Sequence, residues 1–227
     1  MNLQQVNIFF QLIVFLFAIS VHESAHAWMA NRCGDPTARM LGRISLNPIK
    51  HIDLFGTIIL PLVAVLTHIP VLGWAKPTPV DPRNFRHPVR DDILTAVVGP
   101  ISNFSVAAGA TVILVAVKIT SNAGALTVWS IVQGLISPQS NSLLVPFCLL
   151  IYDLMIINVV LAVFNLIPVP PLDGSHVLRH FLPDSTRRVY DMVGWFGLLA
   201  LVYFGGGLLD RLLRPVILFF DYIITRI

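Results

Sequence analysis

Charged side chains are scarce in this chain of 227 residues, because they make up 12% of it while hydrophobic residues make up 56%. An average soluble domain has about 25% charged residues. The composition therefore argues against a soluble protein, and several apolar runs approach or exceed the roughly 20 residues that span a bilayer. We expect a polytopic membrane protein with a single domain over residues 1–227. The net charge of +3 is small and dispersed among apolar runs, which argues against a nucleic-acid partner.

Cysteine is almost absent as well. Cys33 and Cys148 are the two cysteines of the chain, and their wide separation indicates neither a disulfide framework nor a CxxC metal site. No positively charged side chain precedes the first apolar run, so we interpret this run as a retained first helix and not as a cleaved signal peptide.

Glutamate occurs once, at Glu23, within the sequence His22-Glu23-Ser24-Ala25-His26 of a long apolar segment. On a helix this spacing places the two histidines one turn apart on one face, where two neutral imidazoles can bind one metal ion. The glutamate beside the first histidine can reach a water on that metal. Each charge at the centre of a membrane helix costs roughly 2.5–3.5 kcal/mol on insertion scales. The motif therefore predicts a functional site rather than idle polar residues.

The apolar runs predict about five to six transmembrane or re-entrant helices. We expect them at about Asn7–Asn31, Leu54–Val71, Ile93–Val117, Leu143–Ile167, Val189–Phe204 and Leu208–Ile224. The segment Thr37–Leu46 is too short and too polar to span, and its β-branched residues and Gly42 favour a strand or a bent hairpin. The predicted fold class is an all-α polytopic membrane protein with a small β-hairpin or re-entrant β-loop near the active site.

A third metal ligand is needed, because a catalytic zinc normally takes three protein ligands and keeps its fourth position for water. Asp173 is the best candidate, since the prolines before it end a span near the membrane face and Gly174 permits a tight turn. Asp153 is the main rival, but it lies early in the same span, towards the opposite face. Further rivals are His51, His176 and His180. His176 is close enough to Asp173 either to support that ligand by a hydrogen bond or to be a surface histidine, and we favour the latter.

The position of Asp173 constrains the topology. If Leu54–Val71 crossed the membrane fully, Asp173 would emerge on the face opposite the histidines, whereas a run that dips in and returns places them on one face. The dip also collects most basic residues on that side: Arg32, Arg39, Arg43, Lys50, Lys76, Arg83, Arg86, Arg90, Arg179, Arg187 and Arg188. The positive-inside rule then predicts a cytoplasmic active-site face. Arg211 and Arg214 do not fit this scheme, so the C-terminal topology stays open.

Three motifs, in this order along the chain, resemble those of the site-2 protease family of intramembrane zinc metalloproteases. They are His22–His26, the sequence Gly99-Pro100-Ile101-Ser102-Asn103, which is similar to GPxxN, and Asn165–Gly174, which is similar to NxxPxPxxDG. The stretch Gly73–Val80 (GWAKPTPV) resembles the compact branch of the family. We see no stretch long enough for a PDZ or CBS domain.

This resemblance implies a zinc-dependent intramembrane endopeptidase that acts in regulated intramembrane proteolysis. It implies one Zn²⁺ per chain, bound by His22, His26 and Asp173. Glu23 would activate water and pass the proton to the leaving amine, and Asn165 would contact the substrate backbone or the developing oxyanion. A re-entrant β-loop at Thr37–Leu46 could pair with an extended substrate segment.

The implied partners are the lipid bilayer and a membrane-protein substrate, such as a tethered regulator or a remnant signal peptide, in a bacterial inner or plasma membrane. The last two apolar runs, hinged at Gly205–Gly207, could gate lateral substrate entry. The main alternative is a membrane metal-ion transporter or metal-binding membrane protein, which would not need a lone glutamate beside the first histidine. A membrane di-iron oxidase would need more histidines than the seven present. Substrate, trigger and oligomeric state stay open.

Overall fold

A computed structural model describes residues 3–59, 75–135 and 143–226, and within these ranges the chain is helical and contains no strand. Its α-helices are α1 (Leu3–Cys33), α2 (Thr37–Met40), α3 (Pro88–Thr120), α4 (Asn122–Val132), α5 (Leu144–Asn165), α6 (Asp173–Arg179), α7 (Asp184–Phe204) and α8 (Gly206–Arg226). Short 3₁₀ turns at Pro48–Lys50 and Pro82–Asn84 and a π-helical stretch at Leu54–Ile59 complete the described elements.

Three of these helices, α1, α3 and α5, are long and apolar enough to cross a bilayer. Helices α7 and α8 meet the same criterion as a pair that is bent by 79° at a short break, as in a broken span or a re-entrant loop. The predicted spans at Asn7–Asn31, Ile93–Val117 and Leu143–Ile167 are thus confirmed as helices of sufficient length. The described residues hold three candidate spans, or up to four if the bent pair is one span, and most of the predicted dip at Leu54–Val71 lies outside them. The predicted number of five to six transmembrane or re-entrant helices therefore stays a prediction.

The segment Thr37–Leu46 contains the short helix α2 (Thr37–Met40) followed by irregular chain, and not the predicted strand or hairpin. The carboxylate of Asp35 accepts a hydrogen bond of 3.1 Å from the backbone N–H of Thr37, and this local bond favours the start of α2 over an extended chain. Gly42 then takes the left-handed region at φ 67°. The N–H groups of Gly42 and Arg43 donate to the carbonyls of Arg39 and Ala38, as in the Schellman motif that ends helices. Gly42 therefore ends a helix instead of bending a hairpin.

The chain divides into two compact units, Ile19–Gly99 and a larger one that joins Met1–Ala18 to Pro100–Ile227. In the larger unit α5 packs against α4 and α8. Its core consists of apolar side chains, among which the following are fully or almost fully buried: Ala107, Leu114, Val128, Cys148, Met155, Val159 and Ile224. The Lys118 ammonium at the end of α3 donates to the carbonyls of Ile224 and Thr225, at 3.0 and 2.7 Å, and so caps α8.

The smaller unit contains a buried carboxylate just after the end of α1. Asp35 is fully buried and accepts hydrogen bonds from the Asp81 backbone N–H (2.7 Å) and the Asn84 side chain (2.9 Å), besides those from Thr37. Burial favours the neutral acid, but these hydrogen bonds outweigh it and hold the pKa of the Asp35 carboxyl below its usual value. The turn at Pro82–Asn84 is thereby tied to the end of α1.

Candidate functional site

Helix α1 brings His22 and His26 together, as their spacing predicts. Both side chains are buried, at 7% and 8% exposure. Their Nε2 atoms lie 3.0 Å apart, with the ring centroids separated by 4.6 Å and the ring planes at 80°. Two imidazole nitrogens therefore meet at one point on the helix face, which is the arrangement that a shared metal ion requires.

The other ring nitrogen of His26 determines which atom can bind a metal. Its Nδ1 lies 2.6 Å from the backbone carbonyl oxygen of Thr95. A carbonyl oxygen can only accept, so Nδ1 carries the proton and the lone pair of the neutral ring is on Nε2. Histidines that bind metals almost always donate their second ring N–H to a carbonyl or carboxylate in this way. His26 is therefore held in the tautomer and orientation of a metal ligand.

Gly99 explains how α3 can pass so close to the two rings. A Cβ at this position would overlap Nε2 and Cε1 of His26 and Cε1 of His22. The glycine of the GPxxN motif is therefore needed for steric reasons, because any side chain at this position would displace the imidazoles.

The carboxylate of Glu23 is held by Thr78, a residue that sequence analysis did not single out. The backbone N–H of Thr78 donates to Oε2 of Glu23 at 2.9 Å, and the Thr78 hydroxyl lies 2.8 Å from the same oxygen. The hydroxyl also lies 2.9 Å from the Glu23 backbone carbonyl, so its single hydrogen serves two acceptors. The available signal was the sequence Pro77-Thr78-Pro79, in which one residue with an N–H stands between two that lack it.

Asp173 is the first residue of α6 and is partly buried. Gly174, which follows it, does not take a positive φ. A Cβ there would overlap the carbonyl oxygens of Leu166 and Ile167, and the glycine is needed for this close approach. Asn165 ends α5, and its amide nitrogen donates to the Leu161 carbonyl at 2.9 Å. An amide nitrogen carries two hydrogens, so the second can still donate.

The rival ligands have other surroundings. Asp153 is buried in α5. His51 is buried in the smaller unit, and its Nε2 lies 2.7 Å from the Ser45 carbonyl oxygen. His176 is exposed, which agrees with its interpretation as a surface histidine, and His180 is partly buried at the end of α6.

Comparison with known proteins identifies the family of this chain. Residues 10–202 match the family model of "Peptidase family M50". The chain is 33% identical over 207 residues to the "Putative zinc metalloprotease YwhC" of Bacillus subtilis (strain 168), and the alignment covers 91% of this chain and 84% of that one. No solved structure is similar enough to count as a match. The family match spans most of the chain and includes both histidines, Glu23, Asn165 and Asp173, so the chain belongs to peptidase family M50, the site-2 protease family.

Proposed function

We propose that this protein is a zinc-dependent endopeptidase that hydrolyses peptide bonds within or next to transmembrane segments of other membrane proteins. Family M50 and the zinc metalloprotease relative support the coarser class, a metalloprotease with membrane-spanning helices. The geometry of the His22–His26 motif is the observation that supports the finer proposal. The buried Nε2 atoms of His22 and His26 meet at 3.0 Å, the Thr95 carbonyl holds His26 in the ligand tautomer, and Glu23 belongs to the same helical turn.

The donors fit zinc. The side chains that we assign to it are His22, His26 and Asp173, each of which offers one ligand atom. Two imidazoles and a carboxylate are a ligand set found in zinc peptidases, and they leave the fourth position for water. We therefore propose one zinc ion per chain. Bound zinc polarises the peptide carbonyl and makes water nucleophilic at neutral pH.

The protein's own groups then move the protons. Glu23 accepts a proton from the attacking water and passes it to the leaving amine. The Asn165 amide donates to the oxygen of the attacked carbonyl as negative charge develops there. The substrate segment is extended at the cleaved bond, because a helical segment hides its peptide groups in its own hydrogen bonds.

The orientation in the membrane is part of the proposal. Arg32 lies in the last turn of α1, next to the histidine motif, and Arg39, Arg43 and Lys50 follow it in the chain. Cytoplasmic segments carry an excess of lysine and arginine. We therefore place the end of α1 that carries the active site at the cytoplasmic face of a bacterial plasma membrane, with a membrane-tethered regulator or a remnant signal peptide as substrate.

The decisive experiment compares the wild-type protein with Glu23→Gln after reconstitution in liposomes. Zinc is measured by elemental analysis, and cleavage is followed with a labelled transmembrane peptide. We expect about one zinc per chain in both proteins. Cleavage should fall by about 10²- to 10⁴-fold in Glu23→Gln, because a general base contributes that much. Retained cleavage would refute the assigned base, and absence of zinc from both would refute the metal site.

The third ligand needs a separate pair of variants. Asp173→Ala should lose zinc, because two imidazoles alone bind it weakly, whereas Asp153→Ala should keep it. Both substitutions remove one carboxylate from the larger unit, so each controls for the other. Zinc loss in Asp153→Ala with retention in Asp173→Ala would show that the ligand assignment and the topology behind it are wrong.

A further inference from the structure

We propose that Thr78 is a positioning residue that fixes the orientation of the Glu23 carboxylate. The inference rests on the proposed role of Glu23 as the general base. Two donors from this one residue, the backbone N–H and the hydroxyl, lie 2.9 and 2.8 Å from the same oxygen, Oε2 of Glu23. Both residues belong to the unit Ile19–Gly99, and they lie 55 positions apart in the chain.

The local sequence makes Thr78 a rigid donor. Pro77 and Pro79 have no backbone N–H, so the N–H of Thr78 is the sole main-chain donor of these three residues. The ring of Pro77 fixes its own φ, and the residue before a proline is restricted to extended conformations. Thr78 therefore loses little conformational freedom when it binds the carboxylate, and its two donors keep their mutual geometry.

Both ends of this proline-rich segment are attached to buried residues. The backbone N–H of Lys76 donates to the His51 carbonyl at 2.9 Å, and the N–H of Asp81 donates to the Asp35 carboxylate at 2.7 Å. His51 and Asp35 are 1% and 0% exposed. The segment is therefore held in place by contacts that do not involve Glu23, so the position of Thr78 does not depend on the carboxylate that it binds.

The consequence for catalysis follows from the flexibility of glutamate. The side chain has three rotatable bonds, and an unsupported carboxylate would sample many orientations. Two donors on Oε2 restrict it to one of these and leave Oε1 to accept the proton from water. Misplacing a catalytic group by about 1 Å can cost about 100-fold in rate. Thr78 touches neither water nor substrate in this role, so it acts through Glu23.

The test removes the hydroxyl and then restores it. Thr78→Val keeps the size and the backbone N–H, whereas Thr78→Ser keeps the hydroxyl. For Thr78→Val we expect kcat to fall by about 10- to 100-fold, with KM and zinc content close to those of the wild type. Thr78→Ser should recover most of the loss. Thr120→Val is the matched control, because it removes a hydroxyl that bonds to the Val117 carbonyl of its own helix.

Several outcomes would overturn the inference while the proposed function stands. One is an active wild type with full kcat in Thr78→Val. The others are an equal loss of kcat in Thr78→Ser and Thr78→Val, and a loss of kcat that follows zinc content. A wild type that binds zinc and cleaves no transmembrane peptide would instead refute the proposed function, and the inference with it.

A second measurement needs no activity. The unfolding midpoint of the metal-free protein is compared for the wild type, Thr78→Val, Glu23→Ala and the double variant. We expect Thr78→Val to lower the midpoint in the wild-type background and to lower it less when the Glu23 carboxylate is already absent. Equal shifts in the two backgrounds would show that the hydroxyl does not act on the carboxylate.

Discussion

The largest fully buried side chains differ between the two units: those in Ile19–Gly99 are polar, whereas most of those in the larger unit are apolar, beside the hydrogen-bonded pair Asn103–Asn158. Around the larger unit's core, the fully buried side chains include Leu114, Met155 and Val159, which pack without direction. In Ile19–Gly99 the buried side chains include His22, His26, Asp35 and His51, which bond to specific partners. Hydrogen bonds have a preferred distance and angle, whereas apolar contacts tolerate small shifts. The motif that we assign to zinc and proton transfer, His22–His26, thus lies in the unit where polar bonds fix position.

The first prediction concerns the space beside the histidines. In Gly99→Ala the new methyl group would overlap the rings of His22 and His26. We expect zinc affinity to fall by about 100-fold, the upper range for disturbing groups that orient metal ligands, and cleavage to fall with it. Zinc titration and the liposome cleavage assay measure the two effects.

A matched control is available in the same helix. A Cβ at Gly109 of α3 would meet no atom within 4 Å, so Gly109→Ala should bind zinc and cleave as the wild type does. Wild-type zinc affinity in Gly99→Ala would mean that α3 moves aside without cost. In that case the contacts within Ile19–Gly99 do not hold its side chains as tightly as the comparison requires.

The sequence was sufficient to predict the long helices. It was insufficient for segments whose conformation depends on a residue far away in the chain. Helix α1 and the histidine pair follow from an apolar run and an i, i+4 spacing, which are local properties. The segment after α1 was predicted as a strand from the β-branched residues Thr37 and Ile44. There the nearby Asp35 carboxylate, which the distant Asp81 and Asn84 hold in place, favours a helical turn.

The role of Thr78 was missed for the same reason. Its partner Glu23 lies 55 residues away, and no periodicity links the two. Gly99 and Gly174 were noticed as members of motifs, but the groups that occupy the space next to them belong to other elements. Motifs therefore named several residues of the candidate site, while the contacts that surround them are visible only in three dimensions.

The second prediction tests the apolar core of the larger unit. Met155 is fully buried in the core around α5, so Met155→Ala should lower the free energy of unfolding by about 2–5 kcal/mol. Zinc per folded chain should stay at the wild-type value, because Met155 lies in the buried core around α5 and is not one of the proposed ligands. Unfolding is followed in detergent micelles by circular dichroism, and zinc is measured on the folded fraction. Met192→Ala, at a methionine that is 72% exposed, is the control and should change neither quantity.

The third prediction concerns the buried Asp35 carboxylate in Ile19–Gly99. Asp35→Asn replaces a charged acceptor of several hydrogen bonds and should lower the free energy of unfolding by about 1–3 kcal/mol at neutral pH. The lowered pKa of Asp35 gives the sign of the pH dependence. The carboxylate stabilises the fold above the pKa of an unfolded aspartate, about 3.9, and this contribution is lost as the pH falls through the lower folded pKa.

The wild type and Asp35→Asn should therefore differ most above about pH 5 and converge in more acidic solution. Unfolding midpoints measured across this range check the convergence. Asp184→Asn serves as a control, since that carboxylate is 94% exposed and pairs with Arg187 at the surface. A difference that stays constant down to low pH would show that shape, and not charge, gives Asp35 its role.

The smallest effect is expected from a hydrogen bond between two helices of the larger unit. The Tyr152 hydroxyl donates to the Asp221 carboxylate at 3.1 Å and joins α5 to α8. Hydrogen bonds between membrane helices contribute about 0.6 kcal/mol on average, so Tyr152→Phe should lower the free energy of unfolding by about that amount. Tyr222→Phe, at a tyrosine that is 61% exposed, should have no measurable effect. If Tyr152→Phe costs as much as Asp35→Asn, directional bonds position the helices of the larger unit too, and the contrast between the two units fails.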